Sequence, residues 1–265
     1  MPTALVTGAD SGVGYDTARA LAADGHTVLV HAPTAERGEE ALERLVKGGA
    51  EPLRLHTVTA DFARLHEVSA LAREVATRYP ALDLLVNTAT ITGDQQRLLT
   101  EDGNELTFGV NYLAPYLLTR LLEVPLKAAR GRVVNVSSTL HRGSTINWAD
   151  PNRLRPHSPL SAYAQSALAV TLFTRALAEF WPDGPVAISV DPGTDDRKLL
   201  RLHGRVAQRR ADGAAVLARL CSPEFEVDNG AFYEGLTPAA PPARNADRRS
   251  LLRLWKLSAE LVKLS

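Results

Sequence analysis

Three glycines in the run Thr7-Gly8-Ala9-Asp10-Ser11-Gly12-Val13-Gly14 are the first chemical signal in the sequence. Glycine lets backbone approach a bulky anion, and a helix that opens on such a loop offers its unpaired N–H groups to that anion. The loop directly follows an apolar run, Ala4–Thr7, and opens an amphipathic stretch, Val13–Ala23. This strand–glycine–helix context suits a dinucleotide pyrophosphate, with a tight turn that binds nothing as the alternative. Gly8, Asp10, Ser11, Gly12, Val13 and Gly14 are therefore the candidate pyrophosphate-side residues. At the end of the second strand an acid would favour NAD and an arginine NADP. The chain has His31-Ala32-Pro33-Thr34 there, so the sequence does not choose between the two cofactors.

Other reactive side chains carry less. The single cysteine, Cys221, cannot form an internal disulfide, has no histidine near it in sequence, and reads as a buried bystander in a reducing compartment. The seven histidines, at 26, 31, 56, 66, 141, 157 and 203, lack the spacing of metal ligands, so no metal is expected. His141 reads as a loop histidine.

The elements that must position the loop follow from the hydrophobic pattern. Ala4–Thr7, His26–His31, Leu53–Val58, Leu82–Asn87, Arg132–Ser137 and Val186–Asp191 are mostly apolar throughout, as strands covered on both faces must be. Helical patterns lie between them at Val13–Ala23, Ala35–Lys47, Leu65–Arg78, Glu105–Leu122 and Ser161–Phe180. The alternation predicts one α/β domain over residues 1–265, a Rossmann-type doubly wound parallel sheet in three αβα layers. Thr194–Leu220 breaks the pattern with Arg197, Lys198, Arg201, Arg205, Arg209 and Arg210. It follows the last central strand at the ligand-binding end of such sheets, so 194–222 reads as a substrate lid or as a solvated basic helix. An acidic partner is a third reading. Pro238–Pro242 is a loop, and Arg248–Val262 a final helix with Trp255 as a packing residue.

Bulk composition removes several classes. Lys plus Arg and Asp plus Glu are 30 each, so no global attraction to nucleic acid or an anionic membrane is expected. The glycine motif begins by residue 8, leaving no room for a signal peptide, and no apolar run reaches bilayer length. The expectation is a cytoplasmic protein.

Taken together, the motifs resemble the short-chain dehydrogenase/reductase family, most closely its retinol-dehydrogenase-like branch. The resemblance rests on Thr7-Gly8 through Gly14, Asp61, Asn87-Thr88-Ala89 and Gly103 through Thr119. It continues through Asn135-Val136-Ser137-Ser138, Tyr163-Ala164-Gln165-Ser166, Pro192-Gly193 and Leu254-Trp255-Lys256-Leu257-Ser258. It implies that Asp61 contacts the adenine, that Asn87 and Ala89 line the adenosine side, and that Pro192 and Gly193 border the NAD or NADP. By the same resemblance Ser138 holds the substrate oxygen, Tyr163 is the acid/base and Asn111 supports a proton-relay water. Family members are commonly homodimers or homotetramers.

The chain also departs from the pattern. The family places lysine four residues after the tyrosine, where this chain has Ala167; Thr90 replaces a glycine, and Arg197 stands where a threonine is frequent. A unit charge ~5 Å away at an effective dielectric of ~20 is worth ~3 kcal/mol. That is roughly two pKa units, so without it Tyr163 is expected near the free phenol value of about 10. A neutral phenol is a poor base for alcohol oxidation near pH 7 but still donates to a carbonyl. The expectation is an enzyme of atypical chemistry, acting through Ser138 and Tyr163 on a carbonyl or enol of an apolar, polyketide-like substrate. A slow NADP-dependent carbonyl reductase and a non-catalytic pseudo-reductase serving as a partner subunit are the alternatives.

Overall fold

The computed structural model describes residues 1–154, 157–193, 212–240 and 247–264. Its strands are apolar throughout because helices cover both of their faces. Successive residues point to opposite sides of a strand, and the core divides accordingly. Leu5, Leu29, Leu85, Val133 and Ala187 fall in one buried cluster, whereas Ala4, Val6, Val28, Val30, Val86, Val134 and Ile188 fall in another.

The strands are β1 (Thr3–Thr7), β2 (Thr27–Ala32), β3 (Leu55–Thr59), β4 (Leu84–Asn87), β5 (Arg132–Val136), β6 (Val186–Asp191), β7 (Phe232–Glu234) and β8 (Thr237–Ala239). Among the described residues they form one eight-stranded sheet in the order β3-β2-β1-β4-β5-β6-β7-β8. Every pairing is parallel except that of β7 with β8. Helices α1 (Gly12–Ala23), α2 (Ala35–Lys47) and α8 (Gly213–Cys221) cover one face. On the other lie α3 (Leu65–Arg78), α5 (Ala114–Leu121), α7 (Pro159–Phe180) and α9 (Arg248–Leu261). The short α4 (Leu106–Phe108) and α6 (Glu123–Ala128) flank α5. This is the doubly wound three-layer architecture expected from the sequence.

Several local expectations change. The third strand starts at Leu55, not Leu53, because a 3₁₀ turn at Pro52–Arg54 precedes it. Glu105–Leu122 is not one helix: α4 passes into a π-helical stretch, Gly109–Leu113, before α5. Proline at 115 has no N–H to offer the Asn111 carbonyl, so regular α-geometry lacks one of its bonds there. Strands β7 and β8 are too short to show a period, and a turn at Gly235, with φ of +61°, joins them. Of the stretch read as a lid, 194–211 lie outside the described residues. Its remainder forms α8, whose Leu217, Leu220 and Cys221 are buried in the core.

Helix α9 closes the α5–α7 face. Trp255 stacks edge-on against Tyr116, Phe180 and Trp181, with ring centroids 5.8, 5.4 and 5.9 Å away, and the Arg120 guanidinium lies 4.3 Å above it. Tyr112 donates to Ser258 Oγ at 2.5 Å, while Ser258 donates to the Leu254 carbonyl at 2.8 Å. Trp255 is thus a packing residue, as its sequence context suggested.

Candidate active site

A cleft of about 1120 Å³ opens at the carboxyl ends of the strands, where β1 and β4 lie side by side and the strand order reverses. Such switch points are where doubly wound sheets bind ligands. Gly8, Asp10, Ser11, Gly12, Val13 and Gly14 all line it. Gly8 and Gly12 have φ of +62° and +55°, values that suit glycine. A methyl group on Gly14 would overlap the Gly8 carbonyl oxygen and sit 2.5 Å from Thr88 Oγ1. We therefore expect Gly14→Ala to cost about 1–3 kcal/mol by overpacking, read as a lower urea midpoint together with weakened dinucleotide binding in a calorimetric titration.

His31 locks the loop in place. The Gly8 N–H donates to its Nδ1 at 3.0 Å, and its Nε2 lies 3.0 Å from the Ala60 carbonyl. An amide can only donate and a carbonyl only accept, so the ring is neutral with its proton on Nε2. The His31 carbonyl also accepts from the Ala9 N–H at 2.8 Å. Burial pushes the imidazole down to about 4, against a smaller upward pull from the Ala60 bond. Just after β4, the Thr88 hydroxyl donates to the Thr7 carbonyl, and the Thr88 N–H donates to Thr7 Oγ1 at 3.0 Å. Ser11, at the N-cap of α1, makes no side-chain cap, so the first N–H groups of the helix face the cleft. The bare loop, the absence of room for Cβ at Gly8 and Gly14, and the uncapped helix all fit a pyrophosphate.

On the β2–β3 side, the Asp10 carboxylate forms an ion pair with Arg37. Asp61 lines the same end, with its Oδ1 accepting from the Ala63 N–H at 2.9 Å. Ala89 lines the floor. Asn87 does not. Its side chain donates to Asn135 Oδ1 at 2.8 Å and Thr119 Oγ1 at 3.3 Å, bracing β4 against β5 below the cleft.

Ser138 ends the loop after β5, and Tyr163 stands one turn into α7; both are nearly buried on the cleft wall, beside Pro192 and Gly193. Ser138 Oγ accepts from the Leu140 N–H at 3.3 Å. Helix α7 starts where it does because Ser158 caps it and Pro159 occupies its first turn. Ala167 lies one turn after Tyr163, buried, and its carbonyl accepts from Ser137 and Thr171. Asn111 is tied up rather than open. Its Oδ1 accepts from the Ile91 N–H at 2.8 Å, and its Nδ2 donates to the Ile91 carbonyl at 2.9 Å and to Ser166 Oγ at 3.4 Å. It therefore straps the loop after β4 to α7. Ile91, Leu106 and Val110 give the reactive end an apolar wall.

A sequence profile for the short chain dehydrogenases matches residues 2–194. The chain belongs to that family. It is 33% identical to mouse retinol dehydrogenase 13, covering 99% of this chain and 84% of the relative. It is 35% identical to mouse polyprenol dehydrogenase, over 95% and 81%. A Streptomyces sp. (strain C5) relative with the provisional name daunorubicin C-13 ketoreductase is 32% identical, over 98% and 92%. A crystal structure of a protein from Mycobacterium paratuberculosis superposes with a TM-score of 0.78 at 30% identity, covering 99% of this chain and 94% of that one. Short chain dehydrogenases are oxidoreductases that bind NAD or NADP.

In this short chain dehydrogenase some site residues escape sequence reasoning. Asp191 accepts from the Thr139 N–H through one oxygen and the Gly193 N–H through the other, at 2.8 Å each, lashing the loops after β5 and β6 together. Asp212, Gly213 and Ala214 bring the start of α8 to the cleft. An acid ending a strand was the signal for Asp191; nothing local marked the others. Cys221 is buried away from the cleft, and burial raises its thiol to about 12, so it holds its proton. Among the described residues no helix is long and apolar enough to cross a membrane.

Proposed function

We propose that this chain reduces a carbonyl of an apolar substrate, with NADH or NADPH as the hydride source, and that it is a poor alcohol dehydrogenase near neutral pH. The carrying observation is the pair of buried hydroxyls, Ser138 and Tyr163, on the wall of the cleft that holds the glycine loop. Both donate to a carbonyl oxygen as it gains negative charge. The Tyr163 phenol then supplies the proton that completes the alcohol. Ile91, Leu106 and Val110 favour an apolar body on the substrate. When bound, the dinucleotide supplies the hydride.

The bias towards reduction rests on Ala167. Reduction needs a protonated phenol, which is the default state, whereas oxidation needs a phenolate that a methyl group cannot stabilise. The same feature favours a second reading, in which the two hydroxyls polarise a carbonyl or enol with no net redox change.

The test is a panel of multi-ring and long-chain ketones, following dihydronicotinamide absorbance and product by mass spectrometry. Ketone-dependent consumption is expected, and Ser138→Ala and Tyr163→Phe should each lower it by roughly 10²–10⁴-fold while still binding cofactor. Alcohol oxidation as fast as reduction at pH 7 would sink the proposal. Substrate conversion without consumption, abolished by the same substitutions, would establish the redox-neutral reading in its place.

A further inference from the structure

The end of the cleft beside β2 contains a charge arrangement that the strand-end rule does not cover. Pro33, where an acid or arginine would choose the cofactor, carries no charge and no N–H. The chain instead places an acid on the glycine loop and an arginine in the first turn of α2. The Asp10 side chain is only 5% exposed, whereas its partner Arg37 is 52% exposed, and both line the cleft. Asp10 Oδ2 meets Arg37 as an ion pair, and because a carboxylate oxygen accepts more than one donor, the buried acid keeps acceptor capacity at the cleft.

The neighbouring cations are committed elsewhere. Arg44 donates to the Asp10 carbonyl at 3.1 Å and stacks 3.9 Å over Tyr15. Arg19 pairs with Asp16 at 3.3 Å, and Arg64 is shared among Asp61, Glu67 and Glu101. Among the described residues Arg37 is thus the cation at hand, and Asp10 neutralises it.

We propose that Asp10 and Arg37 set the preference for the adenosine ribose, in favour of the free 2′-hydroxyl of NADH over the 2′-phosphate of NADPH. A ribose hydroxyl is a neutral donor that Asp10 can accept while it keeps Arg37. A 2′-phosphate, bearing up to about two negative charges, must draw Arg37 off Asp10 and leave a buried carboxylate beside a dianion. Arg37, exposed and on a long stem, is the part of the pair free to move. The inference rests on the dinucleotide-binding reading of the cleft.

The experiment is calorimetric titration of NADH and NADPH into the full chain, its Asp10→Asn variant and its Arg37→Gln variant, with circular dichroism confirming folding. The wild type should bind NADH at least about tenfold tighter. Asp10→Asn should move the ratio at least about tenfold towards NADPH, while the exposed Arg37→Gln should weaken NADPH and leave NADH within about twofold. An NADPH-preferring wild type, or a ratio that Asp10→Asn leaves unchanged, would overturn this assignment and leave the proposed reduction standing. If neither cofactor binds the wild type, both fall together.

Discussion

Alcohol oxidation at pH 7 should rise about a hundredfold in Ala167→Lys, and carbonyl reduction by far less. An ammonium ~5 Å from the Tyr163 oxygen at an effective dielectric of ~20 stabilises the phenolate by ~3 kcal/mol. That lowers the phenol by roughly two pKa units. While the phenol stays mostly protonated at pH 7, lowering its pKa by roughly two units raises the phenolate fraction about a hundredfold, hence the gain in available base. The proton donor is abundant in both cases, so the reductive direction has little to gain. Residue 167 lies one helical turn from Tyr163 on the same face, where a long side chain runs alongside its neighbour. Ala167→Met, of similar length but uncharged, separates charge from bulk. If Lys and Met variants oxidise alcohols equally fast, the proposed role of the missing charge is wrong.

That prediction draws on the part of the site that was readable in advance. Glycines after a first strand, and runs of β-branched residues alternating with amphipathic stretches, announce themselves over windows of many residues. The doubly wound three-layer sheet and the glycine loop at its ligand-binding end followed from them, whereas Ser138 and Tyr163 came from the family resemblance alone. What escaped depends on contacts between distant segments. Asn87 was expected at the adenosine side, yet its amide is used by Asn135 and Thr119, 48 and 32 residues away. Asn111 was expected to support a water, and its side chain grips Ile91 and Ser166 instead. The break at Gly109–Leu113 was latent in Pro115, but amphipathic periodicity runs through a π-turn without revealing it.

Acidification from pH 7 to 5 should remove about 2 kcal/mol of stability through His31 alone. Burial holds its folded value at about 4, whereas the unfolded chain titrates near 6.5. Between those values the unfolded state takes up a proton that the native state refuses, so the stabilisation present above pH 6.5 is lost as pH falls towards 4. Protonation would also put a hydrogen on Nδ1, where the Gly8 N–H now donates. His31→Gln offers an acceptor and a donor without titrating. Urea midpoints at pH 7 and 5 should therefore fall less in His31→Gln than in the wild type. Burial also lowers His141 and His56, and both remain in each protein, so the difference isolates His31. Equal losses would mean that the glycine loop does not depend on a neutral imidazole.

Helix α9 has a bearing on how the chain is made. The ribosome releases residues in order, so Tyr116, Phe173 and Phe180 emerge well before Trp255, which packs against each of them. The β1–β4 half has its partners within the first part of the chain and is able to settle during synthesis. The aromatic face of α5 and α7 has to wait for residues 248–261. Until those residues are made, the nascent protein carries an uncovered aromatic surface, so the last-docking element of this face is the one whose delay exposes it.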